Sequence, residues 1–411
     1  MTSGGSEPAS GALWSDMPPN SAAQLRVGMM TRDADQVRTG IPNYIYQLVS
    51  AMKAQGHADE LFLFHGPGVH TDPMYVGTNE IIIHRLPGRL EYLTTLPRSI
   101  HESSLDVLHL PLHGLHQTIP TLLNSRVKCV MTIHDITPML FPEMHTRKAV
   151  VSSALALRMA RLLVDHYIAD SLWTKRDLVH YLSLPEDSIS VIYPGKDKHF
   201  RPLDDPVGRR SSLARRLGLP LDEPYILSVG TLEPRKNVTG LLKVYALLRK
   251  AGITHRLVIV GMKGWKYSPI FDLVHQLTLD DYVIFPGYVS DEDLPDFYNG
   301  ADVFVYPSLY EGFGLPPLEA MACGIPVVVS NVSSLPEVVG TAGLLIDPTR
   351  PEDIAAAVLD LLGSESKRAV LAQAGIEQAA RFDWAHTAQE TWNAYEDTLH
   401  GMSGRDEKPL P

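Results

Sequence analysis

Short apolar runs recur along the first half of the chain: LRVGMM (25–30), LFLFH (61–65), EIIIHR (80–85), DVLHL (106–110), KCVMT (128–132), HYIAD (166–170) and ISVIYPG (189–195). Longer stretches with helical spacing separate most of them, such as IPNYIYQLVSAMKAQG (41–56) and AVVSSALALRMARLLVDH (149–166). Apolar runs that alternate with helices predict a parallel sheet covered on both faces, since strands buried on both sides lose the in–out alternation. A polar stretch, LDDPVGRRSSLARRLGLPLDEP (203–224), predicts a linker followed by a helix. A second series then begins: YILSVG (225–230), HRLVIVG (255–261), YVIFPG (282–287), ADVFVYPS (301–308), IPVVVS (325–330) and AGLLIDP (342–348). Each ends in Gly, Pro or Ser, as strands running into functional loops do. The pattern predicts two α/β domains with a boundary near residue 205 and a ligand cleft between them.

Composition supports this picture and narrows the function. Hydrophobic residues make up 45% of the 411 and charged residues 20%, enough for full cores. A formal net charge of -11 speaks against a nucleic-acid binder, which needs a basic face. A small anionic ligand needs only a few placed cations. The two cysteines, Cys129 and Cys323, lie in apolar stretches without metal-ligand spacing and read as reduced core residues of a cytoplasmic protein. Residues 1–24 lack the pattern of a signal peptide and read as a disordered tail, as do 401–411. No apolar run approaches the roughly 20 residues that span a bilayer.

Four stretches carry the candidate chemistry. In YEGFGLPPLEAMACG (310–324), a turn leads from a strand into a helix that tolerates Pro316 and Pro317 in its first turn and stops at Gly324. Such a turn offers backbone amides and a helix N-terminus to an anion, and Gly312 and Gly314 allow close approach. At their spacing Glu311 and Glu319 cannot stack on one helix face but can border one pocket, where a carboxylate suits a vicinal diol of a ribose or a sugar ring. Solvated and helix-start glutamates are the plain alternatives. In YILSVGTLEPRKN (225–237), Gly230 ends a strand, and Arg235 and Lys236 suit a diphosphate unless they belong to an ordinary basic loop. In HDITPMLFPE, His134 sits at a strand's C-terminal end, as a ligand contact or a structural residue. In TGIPNYIYQL, Gly40 could open a helix against a phosphate or sugar. Two weaker features are the glycines of GMKGW (261–265) and a basic helix whose Arg147, Lys148, Arg158 and Arg161 could touch an anionic membrane, though a solvated helix face is the plainer reading.

Taken together, these stretches resemble the family 4 glycosyltransferases of the GT-B fold. EGFGLPPLEAMACGIPVVVS is similar to that family's Glu-x7-Glu signature, and VGTLEPRKN before it and LPEVVGTAGLLIDP and RFDWAHTAQETW after it match family segments in the expected order. TGIPNY, TIHDITP and IADSLWTKRDL do the same in the first half. The resemblance implies two Rossmann-like doubly wound domains facing across a cleft, at 25–205 for the acceptor and 206–384 for the donor. It also implies a helix at 385–400 that returns to the first domain. A nucleotide-diphosphate sugar would be the donor substrate, with no cofactor and no metal. Glu319 would bind the ribose, and Arg235 and Lys236 would neutralise the leaving diphosphate beside Gly230, Thr231 and Leu315. Glu311, with the amides of Phe313 and Gly314, would face the transferred sugar. His134 would touch that sugar from the first domain, and Gly40 would lie near phosphates and acceptor. Many members carry Arg where this chain has Thr231, so the phosphate contacts here rest on Arg235 and Lys236. GTLEPRKN looks most like the branch with many mannosyltransferases, which points to GDP-mannose.

The implied reaction retains anomeric configuration, with the departing diphosphate held by cations and helix amides. Its acceptor would be a glycan, a lipid-linked sugar or a small molecule, and a UDP-hexose donor is an alternative. A nucleotide-sugar epimerase or hydrolase of the same fold would need a second acid/base set. A dehydrogenase would need G-x-G-x-x-G after the first strand, where this chain has TRDADQVRTG. A non-catalytic nucleotide-sugar binder would not need Glu311, Glu319, Arg235 and Lys236 together.

Overall fold

The computed structural model describes residues 24–35, 40–67, 72–114, 118–119 and 126–401. The expected tails fall almost wholly outside the described residues. The apolar runs form two separate parallel sheets. The first contains β1 (Val27–Met30), β2 (Leu61–His65), β3 (Asn79–Ile82), β4 (Val107–Leu110), β5 (Lys128–Ile133), β6 (His166–Ala169) and β7 (Ile189–Val191), in the order β3-β2-β1-β4-β5-β6-β7. The second contains β8 (Tyr225–Val229), β9 (Arg256–Val260), β10 (Val283–Gly287), β11 (Val303–Tyr306), β12 (Val327–Ser330) and β13 (Leu344–Ile346), in the order β10-β9-β8-β11-β12-β13.

Both faces of each sheet are covered, which is why most of the strands read as continuous apolar runs. In the second sheet, Phe304 and Tyr306 of β11 and Val327 and Val329 of β12 face one core. Val303, Val305 and Val328, the residues between them, face the other. Consecutive residues on opposite sides both need to be apolar. Cys129 and Cys323 are buried and unpaired, as their context predicts.

Both orders are doubly wound. The chain starts in mid-sheet, runs outward to one edge, then crosses back and runs to the other. Where the direction reverses, between β1 and β4 and between β8 and β11, helices leave on opposite faces and the strands' C-terminal ends open into a crevice. The loops after β1, β5, β8 and β11 all reach the cleft between the sheets. The two-domain α/β arrangement expected of the GT-B fold is the one observed.

The final helix, Trp384–His400, leaves the second sheet and packs on helix Ile41–Ala54 and β5 of the first. Trp384, Trp392 and Tyr395 are buried in a first-half core, and the Tyr395 hydroxyl meets His109 Nδ1 at 2.6 Å. Among the described residues no helix is long and apolar enough to cross a membrane.

Candidate active site

The turn after β11 is held from three sides. Its Glu311 N–H donates to Ser333 Oγ at 2.8 Å, and Ser334 Oγ donates to the Glu311 and Phe313 carbonyls at 3.0 and 2.7 Å. The loop after β12 thus fixes the turn's backbone. On another side, Leu309 N–H donates to the Arg235 carbonyl at 2.8 Å, so the loops after β8 and β11 are joined at the switch point. On the third side the turn meets the first half. A Cβ on Gly312 would lie 1.8 Å from the His134 carbonyl oxygen, so only glycine permits this approach. Ser171 Oγ donates to the Gly312 carbonyl at 2.7 Å.

Helix Leu315–Ala322 begins with Gly314 at φ 115°. Pro316 and Pro317 carry no N–H, so the donors of this helix start are narrowed to Gly314 and Leu315. These amides border a cleft of about 360 Å³, lined also by Gly40, His134, Gly230, Thr231, Arg235, Lys236, Glu311, Phe313 and Glu319. The structure therefore brings together every site residue that the sequence singled out, from both halves.

Glu311 is buried rather than solvated, with 6% of its surface exposed. Its Oε2 accepts from Arg235 Nη1 at 2.7 Å. Its Oε1 accepts from Lys236 Nζ at 2.8 Å, Tyr306 Oη at 2.9 Å and Ser308 Oγ at 2.5 Å. Burial alone would push this carboxyl upward. The Arg235 and Lys236 charges overcome that push, and the group is held at about 2. Glu311 is an ionised acceptor throughout the physiological range, not a proton donor or base.

Arg235 also bonds Glu233, Nη2 to Oε1 at 2.8 Å, and donates from Nη1 to the Tyr310 carbonyl at 2.9 Å. Burial raises the Glu233 carboxyl, opposed by Arg235 and Lys236. Burial and the neighbouring Arg235 lower the Lys236 ammonium, against Glu311. With a carboxylate 2.8 Å away, we read Lys236 as charged. The two cations thus face the carboxylates of Glu311 and Glu233, and Asp135 acts on Arg235 as well, so the cluster carries no excess positive charge into the cleft.

Glu319 sits in the same cleft under different neighbours. Tyr298 donates to its Oε2 at 2.7 Å, and no cation bonds it among the described residues. Burial raises its carboxyl to about 7, with Asp291 and Asp197 adding to the rise and Tyr298 and His199 opposing it.

His134 is held by two acceptors: Nδ1 lies 2.5 Å from Asp170 Oδ2, and Nε2 lies 2.9 Å from the Pro111 carbonyl. Burial lowers its pKa, Asp170 raises it, and the net shift is upward. Two acceptors require both ring protons, so the imidazolium form fits the site. Neither ring nitrogen is left over for a sugar, and what His134 presents to the cleft is a ring fixed edge-on against Tyr44. Gly40, at φ 56°, opens helix Ile41–Ala54. Gly261 approaches Gly230 so closely that a Cβ would lie 2.0 Å from the Gly230 carbonyl, a packing reason for that glycine.

Sequence reasoning missed Tyr306, Ser308, Glu233 and Asp170. The first two lie in the quoted strand ADVFVYPS, where polar atoms at a strand's exit are a usable signal. Glu233 stands two residues before Arg235. Asp170 interrupts an apolar strand end, but nothing local marks it as the partner of His134.

Two family models match the chain: Glycosyltransferase Family 4 over residues 38–200, and Glycosyl transferases group 1 over residues 210–378. The O-antigen chain mannosyltransferase B of Escherichia coli is 34% identical over 374 residues, covering 87% of this chain and 96% of that protein. Among solved structures, the sucrose-phosphate synthase of Thermosynechococcus elongatus superposes with a TM-score of 0.72 at 23% identity, over 92% of this chain and 100% of that one. Anabaena HepE, solved in complex with UDP and glucose, superposes with a TM-score of 0.70 at 18% identity, over 90% and 99%.

Proposed function

The chain belongs to the family 4 glycosyltransferases, and from that premise we propose that it moves a mannosyl group from GDP-mannose to a glycan hydroxyl with retention at the anomeric carbon. The observation that carries this reading is the buried Glu311, held ionised by Arg235 and Lys236 at the mouth of a helix N-terminus. The mannosyl choice is supported by the relative named as an O-antigen chain mannosyltransferase.

In this reading the donor's diphosphate lies against the Gly314 and Leu315 amides and the cations Arg235 and Lys236. As the bond from the anomeric carbon to the phosphate oxygen breaks, negative charge grows on the phosphate, where these donors meet it. Positive charge grows on the sugar ring, where the Glu311 carboxylate lies. The acceptor's oxygen then bonds the anomeric carbon on the face the phosphate leaves, and its proton passes to the departing phosphate oxygen. Because Glu311 is held far below neutrality, it stabilises charge and does not carry the proton. Glu319 takes the ribose hydroxyls. The pairing of these charges also has a consequence for binding: a diphosphate must compete with Glu311 and Glu233 for the two cations.

The test is turnover of GDP-mannose on a panel of mannose-terminated acceptors, with proton NMR of the product. An α-linked mannoside from the α-linked donor is expected. A β-linked product removes retention, and turnover of UDP-hexoses only removes the mannosyl choice.

The membrane expectation has a surface to support it. On helix Arg147–Leu163, Val151, Leu155 and Leu162 stand exposed among Arg147, Lys148, Arg158 and Arg161. We propose that this face rests on anionic lipid. Co-flotation with phosphatidylglycerol vesicles checks it, and no flotation at low salt removes it.

A further inference from the structure

Asp170 follows β6 at the C-terminal edge of the first sheet, just before Ser171, which caps helix Leu172–Leu182. It lines the cleft beside His134, Tyr44 and Gly40, yet it is only 4% exposed. Its two oxygens are treated unequally. Oδ2 takes the short bond from His134 Nδ1 at 2.5 Å. Oδ1 is buried and has no hydrogen-bond partner among the described residues. Anchoring an imidazole needs one acceptor, which an asparagine or a backbone carbonyl supplies at lower desolvation cost. A buried polar oxygen left without a partner is destabilising, and more so when the group is charged. Asp170 lines a ligand cleft, and an unpartnered oxygen just beneath that lining calls for a donor that arrives with the ligand. The His134 imidazolium keeps the carboxylate oriented, and the second oxygen accepts from a short neutral donor, as a sugar hydroxyl is.

We propose that Asp170 is a carbohydrate-binding residue of the first half: Oδ2 fixes His134, and Oδ1 accepts a hydrogen bond from a hydroxyl of either the donor's hexose or the acceptor sugar. The proposal rests on the chain's being a glycosyltransferase. It reassigns the sugar contact expected of His134 to the carboxylate behind it.

The test compares the wild type with Asp170→Asn, which keeps the shape, and Asp170→Ala. Affinities for GDP and for GDP-mannose are measured by calorimetry. The KM and kcat of transfer to methyl α-mannoside, a soluble acceptor mimic, are measured alongside. GDP affinity should stay within twofold in both variants, which also shows that they are folded. One sugar readout should worsen about tenfold or more, the size of a lost hydrogen bond to a charged group. A weakened GDP-mannose affinity assigns the hydroxyl to the donor, and a raised KM for methyl α-mannoside assigns it to the acceptor. The monodeoxy sugar lacking that hydroxyl should weaken the wild type by the same factor and leave Asp170→Asn unchanged. The proposal is overturned if all sugar readouts stay within twofold. It is equally overturned if GDP and GDP-mannose affinities fall together, the mark of a purely structural residue. A wild type that binds neither GDP nor GDP-mannose counts against the mannosyl choice alone, and the same comparison is then run with UDP and UDP-glucose.

Discussion

Glu311 and Glu319 stand eight positions apart in one motif, border one cleft and feel the same upward push from burial, yet one carboxyl is held at about 2 and the other at about 7. The difference lies in what the fold puts beside each. Glu311 receives the two cations of the loop after β8, delivered because β8 and β11 are neighbours at the switch point. Glu319, one turn into the helix, receives a neutral tyrosine and lies among further carboxylates. With residue type and burial alike, the charged neighbours decide how the two carboxylates differ. A carboxylate that is always ionised suits a site where positive charge develops on the sugar. One poised near neutrality is a conditional acceptor.

The largest effect should come from removing the charge at Glu311. Glu311→Gln keeps the shape and should lower kcat of transfer by about 10²–10³, the range for loss of one preorganised electrostatic contact. Steady-state transfer assays check it, and turnover within threefold of wild type breaks the assignment.

Glu319→Gln should act on affinity. If the ionised carboxylate grips a diol, wild-type donor affinity rises as pH climbs through about 7. Glu319→Gln should stay flat and bind about tenfold more weakly at pH 8, the size of a lost bond to a charged acceptor. Stability should show the opposite sign. A carboxyl raised from 4.5 when unfolded to about 7 when folded contributes stability that is complete below 4.5 and lost as pH rises through 7. The wild type should therefore lose ground to Glu319→Gln between pH 4.5 and 7 in thermal melts. At Glu311 the contribution is complete above 4.5 and lost only as pH falls toward 2.

The smallest expected effect lies outside both glutamates, where the halves meet. Glu337 accepts from the Leu172 and Trp173 N–H groups at 3.0 Å each, capping a first-half helix with a second-half carboxylate. Glu337→Gln loses the charge and one of these bonds, at about 1 kcal/mol. The melting temperature should fall by about 2–4 °C.

Much of this was legible in the residues. The apolar runs predicted both sheets because parallel strands buried on two faces have no polar alternation. The loops 230–237 and 310–319 stood out because glycines, prolines and charges cluster at strand exits. What stayed hidden was partnership across long stretches of chain. Nothing near Glu311 tells that Arg235 and Lys236, about 75 residues earlier, bond it, since that follows from strand order. Likewise Asp170 looks like the polar end of a strand, and only the adjacency of β5 and β6 places it against His134.

The direct measurement is the binding of GDP and GDP-mannose to the wild type, Glu311→Gln and Glu319→Gln by calorimetry at pH 8. If Glu319 holds the nucleotide and Glu311 the sugar, Glu319→Gln weakens both ligands alike. Glu311→Gln then weakens only GDP-mannose, and holds GDP as tightly as the wild type or more tightly, because its two cations are released. A Glu311→Gln enzyme that loses GDP affinity as Glu319→Gln does, or a Glu319→Gln enzyme that keeps it, contradicts this division of labour.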